Sequence, residues 1–397
     1  MQKMRNWHIS RRVLALASVP TLALTSLGMG VPNTVDAAGP LYNFTIDNLG
    51  TANTALGNVA HFSVSNIGVN GDPTDSVVLV PASEVTTLTT AQQARLQAVA
   101  AAGGTVLVWQ NGSVTINSSS VDSLLGVASP PVSPKVTQAN LDNIYAAGIT
   151  KGSHGQWEYL TFVNSSPLTT SAQLTRAESG MWSLLNNLKA SQSAGGPVKG
   201  PQANGQDPSY TAKTLYTFGT NGEVQVTDNL TMQRVNNDTL SVWTDKASWM
   251  IMPGSQLYSD GQTSFNGDVN SHNVLVSYSD ASGEDVTASG PNDTNTNSTA
   301  TVSLSTNNIG VSWSFPTNQS VWTNESDTNV AKENVAISPY SNTSETTYDP
   351  LPGWQMTNTY GDFVYTRTIS ASWMNWWTGI YSTTTTYSND IVEPDWG

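Results

Sequence analysis

Ser153-His154-Gly155, with Lys151 before it and Glu158 after it, gathers a hydroxyl, an imidazole and a carboxylate in one short stretch. A serine whose proton passes to an imidazole, itself oriented by a carboxylate, is the arrangement of nucleophilic acyl transfer. Ser153, His154 and Glu158 are therefore candidate catalytic residues. The same residues also read as a polar turn leading into a strand at Trp157. No Gly-x-Ser-x-Gly elbow is present to strain a serine into the nucleophile's position. On these residues the chain leans away from being an enzyme. Asp280, Ser282, Glu284 and Asp285 place four hard oxygen-bearing side chains close together. They are candidate Ca²⁺ ligands if the loop closes around an ion, and ordinary hydrated loop residues if it does not. No other cofactor is expected.

The run Trp373-Met374-Asn375-Trp376-Trp377-Thr378-Gly379-Ile380-Tyr381 has a different character. Side chains alternate across a strand, so adjacent Trp376 and Trp377 cannot both face one core. At least one indole is expected at the surface, or buried in a neighbour. An exposed indole beside amide and hydroxyl groups suits stacking on a sugar ring or seating at a partner surface. Trp373, Asn375, Trp376, Trp377 and Tyr381 are the candidate ligand-binding residues. The competing reading is a loop that hides its rings within the domain. Ser382-Thr383-Thr384-Thr385-Thr386 follows, with high strand propensity and a hydroxylated face.

These residues need strands to position them. Between Ala300 and Phe315, Val302 and Leu304 alternate with Thr301, Ser303 and Ser305, and Ile309, Val311, Trp313 and Phe315 alternate with Gly310, Ser312 and Ser314. Period two predicts strands with one apolar and one hydroxylated face, and Thr306-Asn307-Asn308 predicts the turn of a hairpin. Pro316 ends the second strand. Further short apolar runs from Thr214 to Tyr387, separated by Asn, Asp, Gly and Ser, predict an all-β sandwich over 209–397. The polar stretch Ser279–Ser298 predicts a long loop.

Residues 39–193 predict strands mixed with helices. Ser76–Pro81, a helix beginning at Thr89 or Thr90, and Thr105–Trp109 form a βαβ pattern. Gln138–Ala147 reads as a helix ending at Gly148. Thr170–Ala190 carries Leu174, Ala177, Met181, Leu184, Leu185 and Leu188 at helical spacing. From Asp75 to Gly126, with Ala102-Gly103-Gly104-Thr105-Val106-Leu107-Val108 at its centre, the chain resembles glutamine-amidotransferase-like and flavodoxin-like domains. That resemblance implies packing, not chemistry: the amidotransferase nucleophile is a cysteine, and this chain has none. The expected fold is thus α+β in two domains. Residues 39–193 form a flavodoxin-like α/β domain, the Gly- and Pro-rich 194–208 a linker, and 209–397 a β-sandwich.

Residues 1–38 read as an export signal. Lys3, Arg5, Arg11 and Arg12 precede the apolar run Val13–Leu27, and small residues follow near Ala38. Its removal takes away four basic residues and one acidic residue and carries the net charge from −14 to −17. No later segment reads as a membrane-spanning helix. An acidic chain disfavours nucleic acid and anionic lipid as partners. Without cysteine, an exported chain must stand on its packed core alone. Together these features favour a secreted or cell-surface binding or adhesion protein that takes an extracellular glycan or surface ligand through the aromatics of the β domain. A secreted hydrolase with its site in the α/β domain is one alternative. The other is a β-pore-forming protein, in which alternating Ser/Thr strands line a barrel and Trp sits at the lipid rim.

Overall fold

The structure, a computed structural model, describes residues 44–48, 62–66, 76–110, 116, 132–133, 144–151, 157–166, 209–235, 240–280, 285–292, 299–339, 341–359 and 363–392, with parts of 168–185. The first strands are β1 (Phe44–Asn48), β2 (Phe62–Asn66) and β3 (Ser76–Pro81). Helix α1 (Thr90–Ala101) leads to β4 (Thr105–Trp109), β5 (Val132–Ser133), β6 (Ile144–Lys151) and β7 (Trp157–Asn164). Then come β8 (Ser209–Thr217), β9 (Gly222–Val235), β10 (Leu240–Lys246), β11 (Ser248–Pro253), β12 (Val269–Asp280) and β13 (Asp285–Gly290). The last strands are β14 (Thr299–Thr306), β15 (Ile309–Pro316), β16 (Val321–Asn324), β17 (Val330–Ala336), β18 (Gly353–Thr359), β19 (Phe363–Asn375) and β20 (Ile380–Val392).

Strand β3, helix α1 and strand β4 follow the sequence reading, and β3 and β4 are parallel. Gly103 adopts φ +91° after α1, and Gly104 N–H donates to the Val99 carbonyl at 2.9 Å. This is the left-handed turn that glycine allows at a helix end. The described residues between 172 and 185 are helical, as the apolar spacing predicts.

The expected division into a flavodoxin-like domain and a separate sandwich does not hold. Strands on both sides of residues 165–208 belong to one mixed sheet of twelve strands, ordered β13-β18-β10-β9-β8-β7-β6-β4-β3-β1-β2, with β11 also on β9. The junction is β7 against β8, which pair in parallel from Glu158–Thr211 to Asn164–Thr217. The 172–185 helix lies in the crossover that parallel pairing requires. The linker at 194–208 lies outside the described residues. Residues 138–148 are also corrected, since β6 replaces the end of the expected helix. Its Tyr145-Ala146-Ala147 run is buried, and β6 runs between β4 and β7. Gly148 is there because a Cβ would fall 2.0 Å from the Val106 carbonyl oxygen. The loop expected at 279–298 holds β13, which pairs with β18.

The second sheet has six strands, β16-β17-β12-β19-β20-β5. Its inner face and one face of the large sheet share a core containing Val224, Val226, Trp243, Val274, Val276, Ile369 and Trp373. The Trp243 and Phe363 rings stack at 4.7 Å across it. On the other face of the large sheet, Ala177, Met181, Leu184 and Leu185 of the crossover helix bury against Leu160, Phe162 and Leu215. Burial of these apolar side chains is the main term holding both layers.

Candidate functional site

The β19–β20 hairpin ends in a turn built by one side chain. Asn375 Oδ1 accepts from Trp377 N–H at 3.1 Å, Thr378 N–H at 2.9 Å and Thr378 Oγ1 at 3.1 Å. Gly379 takes φ +69° and its N–H donates to the Asn375 carbonyl at 2.7 Å. Trp376 N–H donates to the Asp268 carbonyl at 3.0 Å, which fixes the turn against the β12 end of the sheet. The turn is therefore ordered by hydrogen bonds while its rings face outward. Trp377 is 75% exposed, Ile380 66%, Tyr381 52% and Trp376 40%. Trp376 and Trp377 meet edge to face at 5.1 Å, and the Tyr381 ring contacts His272 at 4.6 Å. Burial lowers the His272 pKa, so this imidazole is more readily neutral than a free one.

The sequence candidates at this hairpin part ways. Trp373 is buried against Phe218 and over Gly222, where a Cβ would strike its ring at 2.5 Å. It anchors the hairpin in the core. Asn375 shapes the turn, and Trp376, Trp377 and Tyr381 make the surface.

The β14–β15 hairpin forms a two-stranded sheet of its own, and among the described residues no strand of either large sheet pairs with it. Asn307 and Asn308 both adopt positive φ, 50° and 67°, the turn whose twist suits a hairpin. Ala300, Val302, Leu304 and Phe315 are buried. The opposite face is a hydroxyl ladder, with Thr301 and Ser314 oxygens at 2.9 Å and Ser303 and Ser312 oxygens at 3.1 Å. The half-buried Trp313 fastens the hairpin to the body. Its Nε1 donates to the Leu351 carbonyl at 2.6 Å, Lys246 Nζ lies 5.5 Å from its ring centre, and Gly353 leaves room for the indole.

Of the catalytic candidates, only Glu158 lies among the described residues. Glu158 is buried on β7 and its Oε2 is 2.6 Å from Lys213 Nζ of β8. Ser153 and His154 lie outside the described residues. Of the calcium candidates, Asp280 ends β12 and Asp285, exposed, begins β13, while Ser282 and Glu284 lie outside the described residues. Among the described residues, no group of three or more His, Cys, Asp or Glu is placed to hold a metal ion.

Sequence reasoning missed a buried polar cluster between the two sheets. Asp228 of β9, Asp245 of β10 and Arg367 of β19 are all fully buried. Strand β9 pairs with β11 up to Thr227 and with β10 from Leu230, so Asp228 sits where the strand changes partners. Arg367 Nη1 donates to Asp228 and Nη2 to Thr214, and Nε donates to the Tyr216 hydroxyl at 2.8 Å. Tyr278 and Tyr365 hydroxyls donate to Asp228 at 3.1 and 2.8 Å. The available signal was phase: Asp228 falls between Val226 and Leu230, and Arg367 between Tyr365 and Ile369, at the inward step of the alternation. On the far face of the large sheet, Glu223 is fully buried and accepts from Thr217 Oγ1 at 3.0 Å. Burial raises its pKa to about 8, against the lowering effect of that hydrogen bond.

No family model matches the chain, and no curated protein matches it in sequence. Among solved structures it is similar to a pore-forming protein, at 10% identity and a TM-score of 0.26, over 48% of this chain and 91% of that one. It is similar to Clostridium perfringens delta-toxin at 11% identity and a TM-score of 0.25, over 46% and 87%. It is also similar to the membrane-inserted form of the Clostridium perfringens NetB toxin at 8% identity and a TM-score of 0.23, over 46% and 93%. Likeness at this level carries no argument about family or activity. Among the described residues no helix is long and apolar enough to cross a membrane.

Proposed function

We propose that this chain is an exported β-pore-forming protein. It seats on a lipid surface through the Trp376–Tyr381 turn and contributes the β14–β15 hairpin to a barrel. The observation that carries the reading is the β14–β15 hairpin itself. It is hydroxylated on one face and apolar on the other, and it is joined to the body by side chains instead of ladder bonds. A strand that crosses a bilayer in a barrel needs the same two faces, one for lipid and one for the lumen. Each strand has eight residues, close to the roughly 9–11 that a tilted spanning strand uses. Four exposed apolar side chains at the β19–β20 turn suit the interface, where amphipathic rings settle at headgroup level.

The absence of cysteine makes a direct test possible. A Cβ on Gly290 would lie 3.6 Å from the Val302 Cα, within bridging reach for a disulfide. Gly290→Cys/Val302→Cys should therefore tie β14 to β13. Oxidised, this variant is expected to bind vesicles without releasing an entrapped dye, and reductant is expected to restore release. Equal leakage from the oxidised and reduced forms would rule out the hairpin as the pore segment. No leakage from the native chain on any vesicle would sink the pore reading altogether.

A second reading, docking on an extracellular glycan, is favoured by the open face of Trp377, which suits stacking on a sugar ring. A screen of immobilised glycans against the intact chain separates the two, since a glycan docker binds without vesicle leakage.

A further inference from the structure

We propose that the sandwich is locked by one proton kept on Asp245 beside Asp228, and that loss of this proton as pH rises loosens the six-stranded sheet from the large one. This goes beyond the pore reading and does not depend on it.

Counting charge carries the argument. Two fully buried carboxylates share one fully buried cation, Arg367. With both acids ionised, the buried space between the sheets would hold an uncompensated negative charge, which is costly at low dielectric. The hydrogen bonds decide which acid ionises. Asp228 receives Arg367, Tyr278 and Tyr365. Asp245 Oδ1 receives the Asn229 N–H at 2.8 Å, while the Arg367 guanidinium donates to Asp228, Thr214 and Tyr216. Asp228 is thus the carboxylate and Asp245 the acid that keeps its proton beside it.

The groups around the pair fit this assignment, and a further buried carboxylate, Glu333 of β17, lies along the six-stranded sheet between Ala331 and Val335. Strand β8 presents Thr214 and Tyr216, β9 Asp228, β12 Tyr278, and β19 Tyr365 and Arg367. Strand β18 places the uncharged Trp354 opposite Asp245. Lys246, next along β10, has its ammonium over Trp313 instead. Burial raises the Asp245 pKa well above the ordinary carboxylate range, and repulsion from Asp228 adds to it. The Asn229 N–H and Arg367 oppose the rise without reversing it. Tyr278 is likewise pushed up by burial and by both aspartates, so it stays a neutral donor.

The sign follows from proton counting. In the window between its unfolded and folded pKa values, Asp245 binds more protons folded than unfolded, so stability falls as pH rises. Its contribution is whole below the unfolded value, about 3.9, and is lost as pH climbs through the raised folded value. Glu223 contributes a parallel slope from the other face of the large sheet, between its ordinary 4.5 and about 8. It must therefore be removed from the test.

The test uses Glu223→Gln as background and compares it with Glu223→Gln/Asp245→Asn by thermal unfolding from about pH 5 to about pH 9. Asparagine copies the shape of the protonated acid and cannot ionise. The background chain is expected to lose Tm as pH rises, and the added Asp245→Asn to cut that loss by about half or more. An unchanged slope overturns the proposal. If the double variant does not fold, infrared spectroscopy of the Glu223→Gln chain at neutral pH decides. A carbonyl band from a buried protonated carboxyl group is expected, and its absence overturns the proposal.

Discussion

The two hairpins β14–β15 and β19–β20 are built from the same residue types and are attached in opposite ways. Strand β19 is hydrogen-bonded along both edges, to β12 and to β20, and its inward side chains include Tyr365, Arg367, Ile369 and Trp373. The turn of that hairpin carries its exposed rings. Among the described residues, strands β14 and β15 pair with each other and with no further strand, and their apolar faces and side-chain hydrogen bonds such as that of Trp313 attach them to the body. Ladder bonds must be broken in a row and cooperatively, whereas a side-chain seat can be left in one step once a better apolar surface is offered. A fixed hairpin can present aromatic rings at a set height, and a seated hairpin can leave.

The comparison breaks first at Arg367. Replacing it with methionine keeps an unbranched apolar stem and removes the guanidinium, leaving Asp228 buried without its cation. Removing one partner of a buried pair costs about 3–5 kcal/mol. Chemical denaturation of Arg367→Met should show a loss of that order, and adding Asp228→Asn should recover part of it. A loss within about 0.5 kcal/mol would mean the clamp contributes little to joining the sheets. The second test falls on the seated hairpin. Trp313→Ala removes the indole bond to Leu351 and the contact over Gly353, at a cost of about 2 kcal/mol for a half-buried ring. That cost falls on the seat, so dye release from vesicles should become faster while vesicle affinity stays the same. Slower release would argue that Trp313 acts in the inserted form instead of holding the hairpin back.

The legible parts of this chain were those set by neighbours in sequence. The β14–β15 hairpin could be read from its period and from Asn307-Asn308, and β3, α1 and β4 from their apolar runs and Gly103-Gly104. The continuous sheet could not be read, because β7 and β8 pair in parallel across residues 165–208 and nothing local records that pairing. Tyr145-Ala146-Ala147 looked helical because alanine favours helices, but a strand between two neighbours also needs small residues. Gly148, which lets β4 approach, read instead as a helix stop. The aromatic run was visible as Trp373–Tyr381, yet its division into one anchor and an exposed surface required the β19–β20 register. Asp228, Asp245 and Arg367 went unnoticed because the groups that meet there come from separate strands, β8, β9, β10, β12 and β19.

The smallest change in stability should accompany the largest change in docking. Trp376 and Trp377 fill no core, and the turn they occupy is held by Asn375 and Gly379. Trp376→Ala/Trp377→Ala should therefore leave the unfolding free energy within about 0.5 kcal/mol of the native chain. Vesicle affinity is another matter, since two amphipathic rings leave the interface. A drop of at least about tenfold in a sedimentation assay, equal to roughly 1.4 kcal/mol, is expected. Asn375→Ala makes the complementary variant: it keeps both indoles and removes the acceptor of three hydrogen bonds at the turn. If rigid presentation matters, its affinity should fall between those of the native chain and the double variant. Full native affinity for Asn375→Ala would show that ring area alone sets docking. Full affinity for the double alanine variant would move the membrane contact away from this hairpin.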